Sequence, residues 1–248
     1  MWGGELMLAD FAGFERIATI RPVALAGGDR AVREVWRLAL ALIEDAFGGS
    51  FNEFERLGLF SRIDAGAATT VRRMIASGLN TASAHGIGRY FDAIGALVFA
   101  QQHAAYEGQV AMMLNNLADP RETGVYEFSL HRNQQPWSLD LRPMVRRIVH
   151  EVIAGADRRR IAARFHNTLI EGTAATVRSA LAEHGQVPVV LSGGCFQNPR
   201  LAQGIFDALA GVTQVFLPRE VPAGDGGIAL GQAMVAAARV RESKGGRL

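Results

Sequence analysis

Two glycine turns near the C-terminus hold the residues best suited to chemistry. The first is Ser192-Gly193-Gly194, followed by Cys195 and Asn198; the second is Gly224-Asp225-Gly226-Gly227. Each follows a short run rich in β-branched residues, over 187–191 and 213–217, and each precedes a helix-like stretch. Such strand-to-helix turns bring backbone N–H groups up to a phosphate at a helix N-terminus. Glycine also serves any tight connection, so spacing alone leaves both readings open. Neither turn has a Walker lysine or the pattern GxGxxG. Asp225 is either an N-cap or a hard oxygen ligand for a divalent metal beside phosphates. Asn198 is either a turn residue or a donor to a ligand. Asp92 follows the small-residue stretch TASAHGIGRYF and falls in the first turn of an expected helix. There the helix dipole accounts for it, or it accepts hydrogen bonds from ligand hydroxyls such as those of a ribose.

The remaining reactive side chains are less suggestive. The six histidines include no pair at i, i+4, so no helix face offers two imidazole ligands. His150, His166 and His184 fall on expected helices and read as structural, whereas His85, beside Gly86, is a candidate ligand contact. Cys195 has no histidine near it in sequence and reads as a small apolar filler rather than a thiolate.

The elements that position these groups follow from periodicity and punctuation. Residues 2–8 and the alternating FERIATIRPV around a turn at 10–13 predict a hairpin. Asp29 is the expected N-cap of a helix to Phe47, with Val32, Val35, Leu38, Leu40, Leu42 and Ile43 on a broad core face. Two or three short helices are expected over 51–79, then a small-residue loop from Thr81 feeding a helix to about Ala100. Another helix opens at Tyr106-Glu107-Gly108-Gln109. A second hairpin crosses Asn133 to Pro136. Pro143 starts a helix and Asp157 caps a long one to about His184. The layout is α/β, with ligands expected at strand C-termini.

Composition bounds the function. The chain has 248 residues, 49% hydrophobic and 20% charged, and no apolar run long enough to span a bilayer, which predicts a cytoplasmic protein. A single cysteine excludes an internal disulfide and a multi-cysteine zinc site. Lys244 is the only lysine, so neither a P-loop nor a Schiff base is expected. Net charge is only +2, the arginine clusters are short, and no aromatics interleave with them; nucleic-acid binding is not inferred.

LSGGCFQNPRL followed by VPAGDGGIALGQA resembles the C-terminal part of the HypF family, carbamoyltransferases of [NiFe]-hydrogenase maturation. WGGELMLADFAGFERIA, VREVWRLALAL, GRYFDAIGAL, YEGQVAMMLNNLAD and ARFHNTL occur in the same order, so the resemblance covers essentially the whole chain. It implies an ASKHA (actin/Hsp70-like, ribonuclease-H-like) module, mainly its C-terminal lobe plus part of the first, of the Kae type shared with the TsaD family. It further implies that Asp92, Gly108 and Asn198 contact substrate, that Gly193 and Gly194 approach the nucleotide, and that Asp225 is a metal ligand. The family activates carbamoyl phosphate with ATP to carbamoyl-adenylate and passes the carbamoyl group to the C-terminal cysteine of HypE. That thiocarboxamide becomes a cyanide ligand of the hydrogenase iron.

Family members are longer. Acylphosphatase-like, zinc-finger and YrdC-like domains precede this module, as do a histidine pair and an aspartate-bearing glycine loop. The resemblance therefore implies a truncated module over 1–240 with a flexible tail over 241–248. Its divalent metal (Fe, Mg or Zn) would lack co-ligands, and the chain would be inactive without the N-terminal HypF portion. A non-catalytic nucleotide- or protein-binding lobe and a decayed gene product are the alternatives.

Overall fold

A computed structural model describes residues 1–243, so the expected tail is helical over 241–243 and its remainder, 244–248, lies outside the described residues. The chain opens with an antiparallel hairpin, β1 (Glu5–Ala9) and β2 (Phe14–Ile20). Its turn is closed by the Asp10 carboxylate, which accepts the N–H groups of Ala12 and Gly13 at 2.8 and 2.7 Å. β3 (Val23–Ala26) then leaves for a second sheet.

The helix expected from Asp29 is broken in two. Gly28, not Asp29, is the N-cap of α1 (Asp29–Arg33), and the backbone leaves helical geometry at Glu34 before α2 (Trp36–Phe47). At the break the Glu34 carboxylate takes Nε–H bonds from Arg30 at 2.6 Å and Arg37 at 2.5 Å, a pairing that hydrophobic periodicity does not register. α2 buries Leu38, Leu40, Leu42 and Ile43 as a core helix should. Two 3₁₀ turns lead to α3 (Ala65–Ser77), capped by Asp64. The stretch expected as a small-residue loop begins instead with β4 (Thr81–Ala84), antiparallel to β3. Small side chains carry little strand propensity, and it was the distant partner that made this segment a strand.

Four helices and a hairpin follow. α4 (Ile87–Phe99) packs on α2, and α5 (Gln109–Leu117) packs on α4. β5 (Ser129–His131) and β6 (Trp137–Asp140) pair antiparallel, and β6 adds in parallel to β2, giving a sheet of order β1-β2-β6-β5. α6 (Arg142–Ile153) carries Pro143 in its first turn, and α7 (Arg158–His184) is capped by the Asp157 carboxylate on Arg159 N–H at 2.9 Å. The C-terminal unit is β7 (Val189–Val190), α8 (Pro199–Leu209), β8 (Val215–Phe216) and α9 (Ile228–Ser243), with β7 and β8 parallel as the sequence predicts.

Among the described residues, two of the three buried clusters share one helix, the third lying around Ile17, Ala18 and Trp137. The larger unites α2, α4, α6 and the first half of α7 through residues such as Leu38, Ile94, Ile148 and Phe165. The smaller sits under β7 and β8, where Ala174, Val177 and Leu181 of α7 meet Ile205 and Leu209 of α8. Each such fully buried large aliphatic contributes about 1.5–3 kcal/mol, so α7 joins the two halves energetically as well as in space.

Candidate functional site

The two glycine turns form one end of the site. Gly193 has φ +115°, a conformation side chains disfavour, and its N–H donates to Ala223 O at 2.7 Å. That bond ties the first turn to the second. Gly224 then backs onto the first turn: a Cβ there would lie 3.4 Å from Gln197 Nε2 and 3.7 Å from Gly194 Cα. Gly194 itself faces open space, with no atom within 4 Å of a Cβ position.

Asn198 caps α8. Its Oδ1 accepts Leu201 N–H at 3.1 Å, and its Nδ2 lies 3.1 Å from His166 Nε2. His166 Nδ1 lies 2.7 Å from the Ala162 carbonyl, which can only accept, so Nδ1 carries the proton and Nε2 accepts from Asn198. His166 is fully buried, and that burial pulls its pKa down to about 4. The Ala162 carbonyl opposes the drop and the nearby Arg200 adds to it. The imidazole is therefore neutral, a hydrogen-bonded structural histidine as expected. Cys195 also matches its expectation, since burial pushes its thiol up rather than toward a thiolate.

Asp225 departs from one of its two readings. It begins a 3₁₀ turn whose N-cap is Gly224, and no side-chain cap bond forms there; α9 starts only at Ile228. Its carboxylate is exposed. Among the described residues no three His, Cys, Asp or Glu side chains are grouped to hold a metal. A divalent ion takes about six oxygen or nitrogen ligands, so the residues of this chain do not by themselves fit one.

The other end of the site lies between α4 and α5. Asp92 is in the second turn of α4, not the first, so the helix N-terminus does not account for it. It is buried, and Arg89 Nη1 approaches its Oδ2 at 3.0 Å without the alignment of a hydrogen bond. Arg89 Nη2 is 3.7 Å from Glu107 Oε1 at the start of the YEGQ segment. Burial pushes the Asp92 carboxyl up to about 6; Arg89 opposes the rise and Glu107 adds to it. Gly108, at φ +80°, is the N-cap of α5 and has nothing within 4 Å of a Cβ position. Gly95 lets the two helices close, because a Cβ there would stand 2.0 Å from Val110 Cγ1.

A stack of rings joins the two ends. The Phe91 ring, next to Asp92 in sequence, meets the His166 ring edge-on at 5.2 Å, and His166 holds Asn198. Phe91, His166 and Asn198 thus form a chain of contacts from α4 to the cap of α8. His85 belongs to neither end: its Nδ1 is 2.9 Å from Thr19 Oγ1 and 3.0 Å from Ile20 O, fastening β2 to the loop before α4. Thr19 in turn bonds Glu5, so the WGGE segment is part of the same fastening.

Sequence reasoning assigned no role to Arg89 and Glu107 and gave His166 no link to the glycine turns. The available signal was the FHNT segment, whose polar residues sit in a helix that should be apolar on its buried face. Asn167 Nδ2 donates to Glu122 O and Gly124 O at 2.9 and 3.0 Å, and Thr168 Oγ1 accepts Tyr126 N–H at 2.9 Å. Arg200 Nη1 adds a bond to Asp119 O at 3.1 Å. Together they pin the irregular 119–126 segment onto α7 and the start of α8. A groove of about 670 Å³ runs along α9 between Ile228 and Arg239, but one helix supplies all of its walls and none of the site residues lines it.

The profile of a family described as "Carbamoyltransferase, Kae1-like Domain, second subdomain" matches residues 1–232. Carbamoyltransferase HypF of Rhodobacter capsulatus is 38% identical over 246 residues, which are 98% of this chain and 31% of that protein. Carbamoyltransferase HypF2 of Cupriavidus necator is 36% identical over 266 residues, 96% of this chain and 32% of its own length. The crystal structure of full-length HypF in the phosphate- and nucleotide-bound form superposes with a TM-score of 0.88 at 32% identity, over 97% of this chain and 31% of that one. The T. kodakarensis HypF structure gives a TM-score of 0.82 at 26% identity. The chain spans about a third of the length of these relatives. With a profile match across nearly all its residues, the chain belongs to the carbamoyltransferase family of the second Kae1-like subdomain, and its α/β fold is the ASKHA-type fold of the HypF structures.

Proposed function

We propose that this chain is the nucleotide-side lobe of a HypF-like carbamoyltransferase, active when joined by the portion its longer relatives carry. The observation that supports this best is the Gly193–Ala223 bond, which ties two glycine turns together beyond the parallel strands β7 and β8 and leaves Gly194 facing open space. Parallel sheets bind nucleotides at that end, and a solved relative that superposes with a TM-score of 0.88 is described as phosphate- and nucleotide-bound. In this reading Gly193 and Gly194 approach the nucleotide of carbamoyl-adenylate, made from ATP and carbamoyl phosphate. Asn198 bonds the same ligand. Asp92, an anion above about pH 6, accepts hydrogen bonds from ligand hydroxyls beside Gly108. A metal at Asp225 would draw its other ligands from outside this chain. The acceptor is the C-terminal cysteine of HypE, in the cytoplasm, and the product serves cyanide synthesis for a hydrogenase.

The partner portion has a surface to meet. Val190 and Phe216 are exposed on the C-terminal strands, and Ile228, Leu230, Met234 and Val240 are exposed along α9. Leu230 and Met234, at i and i+4, share one face of α9, and apolar exposure of this kind offers an interaction face. Among the described residues no helix is long and apolar enough to cross a membrane, so a bilayer-spanning role for α9 finds no support. The test combines this chain with a separately expressed remainder of a HypF, ATP, carbamoyl phosphate and HypE, and follows HypE by intact mass. A carbamoyl adduct is expected only with both pieces present. If no remainder yields one although the chain binds ATP or AMP calorimetrically, it is a non-catalytic nucleotide-binding lobe instead.

A further inference from the structure

His166 lies at the join between the two ends of the site, and none of the roles so far assigned uses it. It is fully buried on α7 with Phe91 and Phe165 edge-on against its ring at 5.2 and 5.7 Å, so the imidazole has no room to swing. Its Nδ1–H is taken by Ala162 O at 2.7 Å, which leaves Nε2 as an acceptor with one neighbour, the Asn198 amide at 3.1 Å. Asn198 is constrained from both sides: Leu201 N–H at 3.1 Å requires its oxygen, and His166 Nε2 requires its nitrogen. Turning the amide over would set donor against donor and acceptor against acceptor, so both bonds would be lost.

We propose that His166 is a positioning residue that locks the Asn198 amide, so that the glycine-turn end of the site presents one fixed N–H and one fixed carbonyl lone pair. An amide NH₂ has two protons and its oxygen two lone pairs. With one of each used inside the protein, the remaining pair is what a ligand meets, in an orientation set by α7. A free asparagine would present either end and lose orientation entropy on binding. This also explains why a polar residue occupies a core position between two phenylalanine rings, where burial without a partner is unfavourable. The inference rests on the reading of the Gly193–Asn198 turn as a nucleotide contact.

Two measurements on the full 248-residue chain separate the inference from that reading. The first is ¹⁵N NMR of the His166 ring and the Asn198 side-chain amide, without ligand. The expected result is a neutral ring protonated at Nδ1, with a slowly exchanging Asn198 amide that becomes fast-exchanging in folded His166→Phe or His166→Met. A ring protonated at Nε2 in the wild type, or an Asn198 amide unmoved by either variant, overturns the lock; the tautomer needs no variant to fold. The second is calorimetry with AMP. His166→Phe is expected to weaken AMP about 10-fold, His166→Gln, which can still accept, no more than about 3-fold. Asn198→Ala combined with His166→Phe should be no weaker than Asn198→Ala alone. Additive losses, or full affinity in folded His166→Phe, overturn the positioning role. A wild type that binds no AMP while showing the locked NMR signature refutes the nucleotide reading and leaves the lock intact.

Discussion

Asp92 and Asp140 are both buried carboxylates, and their surroundings drive them in opposite directions. Around Asp140 burial alone would raise the pKa, but the Arg142 guanidinium at 2.6 Å, the Arg142 N–H at 2.9 Å and His131 outweigh it and hold the group at about 2. Around Asp92 burial prevails over a single misaligned arginine, and the group rises to about 6. The consequences for stability have opposite signs. Asp140 stabilises the fold above its unfolded pKa, an effect lost as pH falls toward 2. The folded state holds the Asp92 proton more tightly than the unfolded chain does, so that contribution is full below pH 3.8 and lost as pH rises through 6. At about 1.36 kcal/mol per pKa unit the loss is about 3 kcal/mol. Urea denaturation from pH 4 to 7 is therefore expected to show wild type losing stability relative to Asp92→Asn across that window. Parallel curves would show that Asp92 titrates as an ordinary carboxyl.

Between elements, the α4–α5 contact and the glycine turn differ in what a methyl group would meet. Val110 is fully buried and stiff at χ1, so the atom standing 2.0 Å from a Gly95 Cβ cannot swing away. Gly95→Ala gains helix propensity but overpacks the contact, and is expected to lose about 1–3 kcal/mol in a urea or thermal melt. Gly194→Ala adds its methyl to open space in a backbone conformation open to any residue, and is expected to stay within about 0.5 kcal/mol of wild type. A Gly194→Ala variant as unstable as Gly95→Ala would mean that the first turn is packed shut and cannot admit a ligand. The cap at Asp157 and the parallel β7–β8 pair were legible in the sequence, because a cap adjoins its helix and each short strand leads straight into its own glycine turn. The strand β4 was not, since it depends on β3 lying fifty-odd residues upstream, a separation of the kind loop-closure physics leaves to tertiary structure; the break at Glu34 is local, but rests on Arg30 and Arg37 pairing with one carboxylate, to which hydrophobic periodicity is blind.

At the scale of the molecule, α7 couples two cores of unequal size, and α9 stands outside both. Among the described residues the main packing partner of α9 is the turn that precedes it. Leu230 and Met234 are 52% and 47% exposed, so Leu230→Lys with Met234→Lys removes little buried area. The thermal midpoint is expected to stay within about 2 °C of wild type, because surface changes fall within about 0.5 kcal/mol. The same pair should abolish rescue of HypE carbamoylation by the remainder of a HypF, since it places two charges on the proposed docking face. A large drop in the midpoint would place these side chains in the fold of this chain rather than on an interface.

By itself the sequence determined the α/β class, the long α7, the parallel C-terminal strands and the candidate positions Gly108, Gly193, Gly194, Asn198, Asp92 and Asp225, because periodicity, caps and ordered motifs are local signals. It also determined family membership, which depends on the order of those motifs. Only the tertiary structure decided how they relate. It drew Asn198 onto His166 across thirty-two residues of sequence, set Arg89 against Asp92 and Glu107, tied Gly193 to Ala223, and left Asp225 exposed without a cap bond. The physical reason is that burial and hydrogen-bond partnership are properties of distant neighbours. A buried amide or carboxylate takes its charge and orientation from whatever the fold places against it, and no window of sequence contains that information.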